Sequence, residues 1–187
     1  MCCDNIRSNG DVLRRNFNTY LQLTGRFDVA DWLVDHATFP NSMVDRITPR
    51  ATEVLRTEIG ALSPDHSATA IHGESFIQWV LQRDFADVFP RMERVGVEIV
   101  DDVDPYEEAK IRVLNGGHTA LCYLGALAGH QTFDQAMMDP ELRKHFDLFE
   151  AENVLPGLTL SLPFSKTNYR DLIAKRFLNA AIADDLG

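Results

Sequence analysis

The stretch AKIRVLNGGHTALCYLGALAGH, residues 109–130, has the composition of a buried helix. It is rich in leucine, alanine and glycine, yet it carries Lys110, Asn115 and His118. A buried amine or amide is costly unless it has a partner. The stretch therefore predicts a helix whose polar side chains form either a functional site or a satisfied structural network, and perturbed groups of this kind cluster at functional sites.

The positions of the polar side chains around this helix favour a site. At about 100° per residue, the side chains of Glu107, Lys110, Asn115 and His118 fall within about 140° of one another. Apolar side chains fall among them: Ile111, Leu114 and Leu121. A solvated helix surface would be polar throughout, so the mixed face favours a site.

The chemistry of such a group is defined by its residue types. Apolar neighbours disfavour the charged form of a lysine, which lowers its pKa towards the range of a general base. The amide of an asparagine donates hydrogen bonds to an alkoxide or a polarised carbonyl oxygen. Lysine with amide donors, and without metal ligands, suits removal of a proton from a hydroxyl while another group accepts the hydride.

Composition excludes several classes of partner. The 187 residues include 28 acidic and 18 basic side chains, a formal charge of -10. Such a field repels nucleic acids and anionic membranes, so neither is expected as a partner. No apolar run approaches the roughly 20 residues that span a bilayer, and MCCDNIRSNG does not resemble a signal peptide. We therefore expect a cytoplasmic protein.

The three cysteines do not indicate a metal centre. Cys2 and Cys3 are adjacent and only Cys122 lies elsewhere, so the spacing of a zinc site is absent. Reduced thiols are the expected state in the cytosol.

Hydrophobic spacing predicts an α/β region followed by a mainly helical one. Helices are expected over 9–25, 28–37 and 50–62, with Asp28 as a cap and Gly25 as a stop. Strands are expected over 75–82 and 97–103, after an extended segment at 37–49 and a linker at 62–70. From Pro105 onward the pattern is helical, apart from a turn near 152–165.

No G-x-G-x-x-G, P-loop or G-x-S-x-G motif is present, and the Gly116–Gly117 pair inside a helix is not expected to cradle phosphate.

Several motifs together resemble one family. PYEEAKIRVLNGGH, with Lys110, Asn115 and His118, resembles the signature helix of the mannitol dehydrogenase family, the polyol-specific long-chain dehydrogenases. Five further stretches are similar to the family in the same order: CCDNIRSNG, TFPNSMVDRITP, GESFIQWVL, VGVEIVDDV and YRDLIAKRFLN. The resemblance covers nearly the whole chain.

The resemblance implies a fold in two parts and a fragment of a longer enzyme. Residues 1–104 would be the tail of a dinucleotide-binding, Rossmann-type domain with added strands. Residues 105–187 would be an α-helical substrate and catalytic domain, related to the C-terminal domain of 6-phosphogluconate dehydrogenase and truncated at its C-terminus. Family members are well over twice this length, so the chain alone is expected to be inactive.

The resemblance also implies roles for individual residues. Lys110 would be the general base, and Asn115 and Asn5 would donate hydrogen bonds to the developing oxyanion. His118 and Asp45 would bind the substrate.

Two further residues have implied roles beside these. Glu107 would gate proton exchange between Lys110 and solvent, and Asn41 would lie near the nicotinamide end of the cofactor.

Structural explanations remain open for three of these residues. Asp45 could pair with Arg46 or Arg50, Asn5 could cap a turn, and Glu107 could be a first-turn helix acid.

The implied activity is a zinc-independent, NAD- or NADP-dependent oxidation of a sugar alcohol such as mannitol or arabinitol to the ketose. The longer enzyme to which these residues would belong is expected to be a monomer. Two alternatives remain: a hexuronate reductase of the same family, acting on fructuronate or tagaturonate, and a truncated remnant that does no chemistry.

Overall fold

The structure is a computed structural model, and it describes residues 1–63 and 70–186. The linker expected over 62–70 lies almost entirely outside the described residues.

Helices dominate the described residues, as expected. The α-helices are α1 (Asn9–Leu23), α2 (Phe27–His36), α3 (Glu53–Leu62), α4 (Asp104–Ala109), α5 (Gly116–Leu127), α6 (Phe133–Met138), α7 (Pro140–Phe149) and α8 (Lys166–Phe177). Two π-helical segments continue α4 and α7: the first π-turn covers Lys110–Asn115 and the second covers Glu150–Val154. A short 3-10 helix covers Met92–Val95.

Three strands form one small sheet. They are β1 (Ser42–Asp45), β2 (Gln78–Gln82) and β3 (Glu98–Val100), in the order β1-β2-β3. β1 is antiparallel to β2, and β2 is parallel to β3. Val80 and Leu81, adjacent in β2, are both fully buried, so both faces of the central strand are covered.

The described residues divide into two compact units. The first unit comprises residues 1–45 and 78–108, with α1, α2 and the sheet. The second unit comprises residues 46–77 and the chain from Ala109 onward, with α3 and the helices from α5 to α8. This division differs from the one expected at 104/105, because residues 46–77 group with the helical part. The sequence-based boundary stays a prediction.

A buried ion pair explains why residues 46–77 belong to the helical unit. Nη2 of Arg176, on α8, lies 2.7 Å from Oε1 of Glu74, and the two side chains are 4% and 2% exposed. Glu74 Oε1 also accepts a hydrogen bond from the backbone N–H of Ile47 at 2.7 Å. The Arg176 guanidinium stacks on the Phe76 ring at 4.2 Å. Removal of one partner of such a pair typically costs about 3–5 kcal/mol.

The same ion pair explains why β2 is shorter than predicted. The pattern predicts a strand over 75–82, but β2 begins only at Gln78. Arg176 of the second unit contacts both Glu74 and Phe76. Residues 75–77 therefore do not join the sheet, although the pattern places them in the strand.

Helix ends test two local predictions in the first unit. The stop at Gly25 is confirmed, because this residue follows α1 with a φ of 68°, a conformation that favours glycine. The cap at Asp28 is wrong. α2 begins at Phe27, and Asp28 lies in its first turn, where its carboxylate pairs with Arg26 at 3.2 Å.

The core of the second unit is built where α5, α6, α7 and α8 pack together. Its largest members are aromatic: the Phe177 ring centroid lies 5.4 Å from that of Phe133 and 6.0 Å from that of Phe146. Leu121 of α5 and Ile173 of α8 belong to the same core and are fully buried. The helix that carries the candidate site is therefore anchored by apolar burial on its inner face.

Candidate functional site

Lys110, Asn115 and His118 lie on one continuous helical segment that includes a π-turn. A π-turn closes i→i+5 hydrogen bonds, and such turns are frequent at functional sites. Here the Gly116 N–H donates to the carbonyl of Ile111. Each residue of the wider turn rotates by less than the α-helical 100°. The α-helical arithmetic is therefore wrong across this segment, and Asn115 and His118 lie nearer the Lys110 side than it predicts.

Of Lys110, Asn115 and His118, only Lys110 is buried. Its exposed fraction is 8%, and the apolar residues beside it, Ala109, Val113 and Leu114, are buried too. Asn115 is exposed, and the His118 side chain is 42% exposed. The expectation of a buried amide and imidazole is therefore wrong, because the mixed face lies at the edge of the core rather than inside it.

His118 is held by a ring and a carboxylate of the same unit. Its imidazole packs on Phe133 with 3.9 Å between ring centroids. Its Nε2 lies 3.5 Å from Oδ2 of Asp184. The sequence did not single out Asp184, because an acid near the end of an acidic chain carries no local signal.

Glu107 is buried in the first unit and holds the start of α1. It is 4% exposed, and both carboxylate oxygens accept hydrogen bonds from the Ser8 N–H, at 3.1 and 3.2 Å. Ser8 has a φ of 51°, which is unusual for a residue other than glycine. The carboxylate therefore supports an unfavourable backbone conformation. Its gating of proton exchange stays a prediction.

The Asn41 amide is engaged by the first turn of α1. Its Nδ2 donates to Asp11 Oδ2 at 2.9 Å, and its Oδ1 accepts from the Asp11 N–H at 3.1 Å. The Asn41 N–H donates to the Gln82 side chain at 3.0 Å. These bonds tie the start of β1 to α1, and the role of Asn41 in cofactor binding stays a prediction.

Asn5 and Asp45 also lie in the first unit, at opposite extremes of exposure. Asn5 is exposed, and its backbone N–H donates to the Asp4 carboxylate at 2.9 Å. Asp45 is 3% exposed and ends β1, opposite Gln78. The first unit thus holds Asn5, Asn41, Asp45 and Glu107, whereas the second holds Lys110, Asn115 and His118.

The turn after β3 in the first unit lacks the features that hold a dinucleotide. A pyrophosphate is normally held by a glycine-rich turn between a strand and a helix N-terminus. In the first unit β3 leads into α4 through residues 101–103, which include Asp101 and Asp102 but no glycine. Among the described residues, this turn does not fit the pyrophosphate.

The described part of the chain contains neither a metal-ligand cluster nor a helix that could span a membrane. Within residues 1–63 and 70–186, no group of three or more His, Cys, Asp or Glu side chains is placed to hold a metal ion. No helix in the same residues is long and apolar enough to cross a membrane.

Glu150 is a buried acid beside the candidate helix that the sequence did not reveal. It begins the second π-turn, it is fully buried, and neither carboxyl oxygen has a hydrogen-bond partner among the described residues. Burial raises the pKa of Glu150 to about 8, although nearby Arg170 opposes the shift. In the sequence it stands between Asp147 and Glu152, so it reads as one of several surface acids.

Gly117 lets α5 approach α7 at this point. A β-carbon at residue 117 would lie 2.8 Å from Cε2 of Phe146 and 2.9 Å from Oε1 of Glu150. At Gly116 the nearest atom, the Ile111 carbonyl oxygen, would be 3.8 Å away. The glycine pair therefore contains one position where close packing excludes a side chain and one that is open.

We predict that Glu150→Gln flattens the pH dependence of the free energy of unfolding. The Glu150 pKa is about 8 in the folded chain and near 4.5 when unfolded. The folded state therefore binds the extra proton, and stability is lost as pH rises from about 4.5 to about 8, by at most about 1.4 kcal/mol per unit. Urea unfolding at several pH values measures this slope. Glu152→Gln, at an exposed carboxyl of the same π-turn, is the control that keeps the wild-type slope.

We predict opposite effects for alanine at the two glycines. Gly117→Ala overpacks the contact with Phe146 and Glu150 and should lower the free energy of unfolding by about 1–3 kcal/mol. Gly116→Ala has room and removes a flexible residue from a helix, so it should raise stability by about 0.5–1 kcal/mol. Denaturant unfolding measures the free energy of unfolding of both variants. An equal change in the two variants would contradict the close contact at Gly117.

Comparison with known proteins covers both parts of the chain. Residues 1–94 match the mannitol dehydrogenase Rossmann domain, and residues 102–187 match the mannitol dehydrogenase C-terminal domain. D-arabinitol 4-dehydrogenase of Klebsiella pneumoniae is 42% identical over 97% of this chain and 40% of its own length. Polyol:NADP oxidoreductase of Gluconobacter oxydans is 39% identical over 98% of this chain and 38% of its own length.

A solved structure gives the same result for the fold. Mannitol 2-dehydrogenase of Pseudomonas fluorescens, in a ternary complex with NAD and D-mannitol, matches with a TM-score of 0.83 and 38% identity, over 98% of this chain and 37% of that one. The chain spans about two fifths of the length of the relatives it matches. The mainly helical fold with a small sheet is confirmed, and the chain belongs to the mannitol dehydrogenase family.

Proposed function

We propose that the polypeptide to which these residues belong, here termed the parent protein, is a polyol dehydrogenase that uses NAD or NADP. It oxidises a secondary hydroxyl of a linear sugar alcohol, of the arabinitol or mannitol type, to the ketose. The activities named for three similar proteins support this class of substrate. The structural observation that carries the proposal is the burial of the Lys110 amine, which is 8% exposed and begins a π-turn.

In this proposal the second unit handles the proton and the substrate oxygen. Lys110, as a neutral amine, takes the proton of the reacting hydroxyl. The Asn115 amide donates to the same oxygen as negative charge develops on it. The π-turn supports this pairing, because it turns Asn115 towards the Lys110 side of the helix. His118 binds another hydroxyl of the polyol.

Four further residues have proposed roles. We propose Asn5 as the second amide donor, Asp45 as a substrate ligand, Glu107 as the gate for proton exchange and Asn41 as a neighbour of the nicotinamide. The exposure of Asn5 and the burial of Asp45 and Glu107 are compatible with these roles. NAD or NADP would accept the hydride. The turn between β3 and α4 does not fit its pyrophosphate, and no residue role is assigned there.

The proposal extends to the organisation of the parent protein. Residues 1–104 would belong to its dinucleotide-binding domain and residues 105–187 to its substrate domain, so the 187 residues alone would not turn over substrate. We also propose a cytoplasmic monomer that acts in polyol metabolism without nucleic-acid or membrane partners. The formal charge of -10 supports the exclusion of nucleic acids.

A substrate panel on the parent protein tests the proposed class. We expect oxidation of D-arabinitol or D-mannitol with NAD or NADP, detected by absorbance of the reduced cofactor. Reduction of fructuronate or tagaturonate, without any activity on polyols, would identify a hexuronate reductase instead. Absence of all these activities would favour the inactive remnant.

We predict that Lys110→Ala in the parent protein lowers kcat by about 10²–10⁴-fold, because a general base is lost. Cofactor affinity should stay nearly unchanged, since the lysine handles the proton and not the nucleotide. Steady-state kinetics and a cofactor titration measure the two effects. Lys144→Ala, at an exposed position of α7, is the matched control. A fall in kcat of less than about threefold for Lys110→Ala would remove it as the base.

A further inference from the structure

The His118 ring is oriented from two directions by residues of the second unit. Phe133 packs against its face, with 3.9 Å between centroids and 31° between planes. Asp184 lies beside its edge, with Oδ2 3.5 Å from Nε2. Among the described residues, His118 Nδ1 makes no hydrogen bond, and the side chain is 42% exposed. One edge of the ring thus faces a carboxylate, and Nδ1 remains available to a ligand.

The backbone places Asp184 beside His118. The Asp184 carbonyl accepts a hydrogen bond from the Phe133 N–H at 3.0 Å, so the residue that packs on the imidazole also fixes the aspartate. The Leu186 N–H donates to the Gln131 carbonyl at 3.0 Å. Ala183, just before the aspartate, has a φ of 45°, which few residues other than glycine adopt. The surrounding contacts therefore hold the chain in a conformation that it would not favour alone.

The carboxylate favours one position of the imidazole proton. A carboxylate only accepts hydrogen bonds, and its negative charge lies 3.5 Å from Nε2, so it favours the N–H on that nitrogen. In a neutral imidazole Nδ1 is then an acceptor. A polyol hydroxyl can donate a hydrogen bond to that acceptor. The same ring with its proton on Nδ1 could not accept at this nitrogen.

We propose that Asp184 is a positioning residue for substrate binding: it orients His118 with its proton on Nε2, so that Nδ1 accepts a hydrogen bond from a hydroxyl of the polyol. The proposal rests on the proposed function of the parent protein. Asp184 does not touch the reacting atoms, and its effect reaches the substrate only through His118.

A double-mutant cycle in the parent protein tests this dependence. We expect Asp184→Asn to raise KM for D-arabinitol or D-mannitol by about tenfold while kcat changes by less than about threefold, because the interaction lies in binding rather than in the chemical step. In a His118→Ala background, Asp184→Asn should have no further effect on KM. Asp184→Glu keeps a carboxylate and should restore part of the affinity. An unchanged KM in Asp184→Asn, or the same rise in both backgrounds, would overturn the proposal.

The chain offers a matched control pair. His130 Nε2 lies 3.0 Å from Asp139 Oδ2, a second histidine–aspartate pair with similar exposure. Asp139 also caps α7, and asparagine is an equally good cap. Asp139→Asn should therefore leave KM for the polyol unchanged, and a rise in KM equal to that of Asp184→Asn would show a general structural effect instead.

A spectroscopic measurement separates failure of this proposal from failure of the proposed function. If the wild-type parent protein oxidises no polyol, the proposed function fails. The ring of His118 can still be examined by NMR of the same protein labelled with ¹⁵N at histidine. We expect the proton on Nε2 in the wild type and a proton shared between both nitrogens in Asp184→Asn. Identical ring signals in the two proteins would overturn the positioning role.

Discussion

The second unit depends on the close contact between α5 and α7 at Gly117. There is no space for a β-carbon between this residue, Phe146 and Glu150, so the helix backbone packs directly against an aromatic ring and a carboxyl group. His118, the next residue along the helix, is 42% exposed. The contact at Gly117 buries Glu150, whose raised pKa follows from its removal from water.

Both π-turns of the described residues begin with a buried ionisable residue. Lys110 begins the first and Glu150 begins the second, with exposed fractions of 8% and 0%. In the first, the wider turn places Asn115 nearer to the Lys110 side than an α-helix would, although Lys110 is buried and Asn115 is exposed.

The family motifs found in the sequence have a physical basis in the ion pair between Glu74 and Arg176. Glu74 lies in GESFIQWVL and Arg176 in YRDLIAKRFLN, and Glu74 also binds the backbone of Ile47 in TFPNSMVDRITP. Three of the six motifs therefore meet in one buried network of the helical unit. Because a lone buried charge is costly, Glu74 and Arg176 depend on one another.

The sequence by itself determined the family, the helical class and most element positions, because hydrophobic period and stop residues are local signals. It identified Lys110 as the unusual amine of an apolar helix, and Gly25 as a helix end. Only the tertiary structure decided that 46–77 belongs to the helical unit, that Asn115 is exposed and that Glu150 is buried. These features arise from contacts between residues far apart in the chain, such as the 102 positions that separate Glu74 from Arg176. Local spacing carries no information about such contacts.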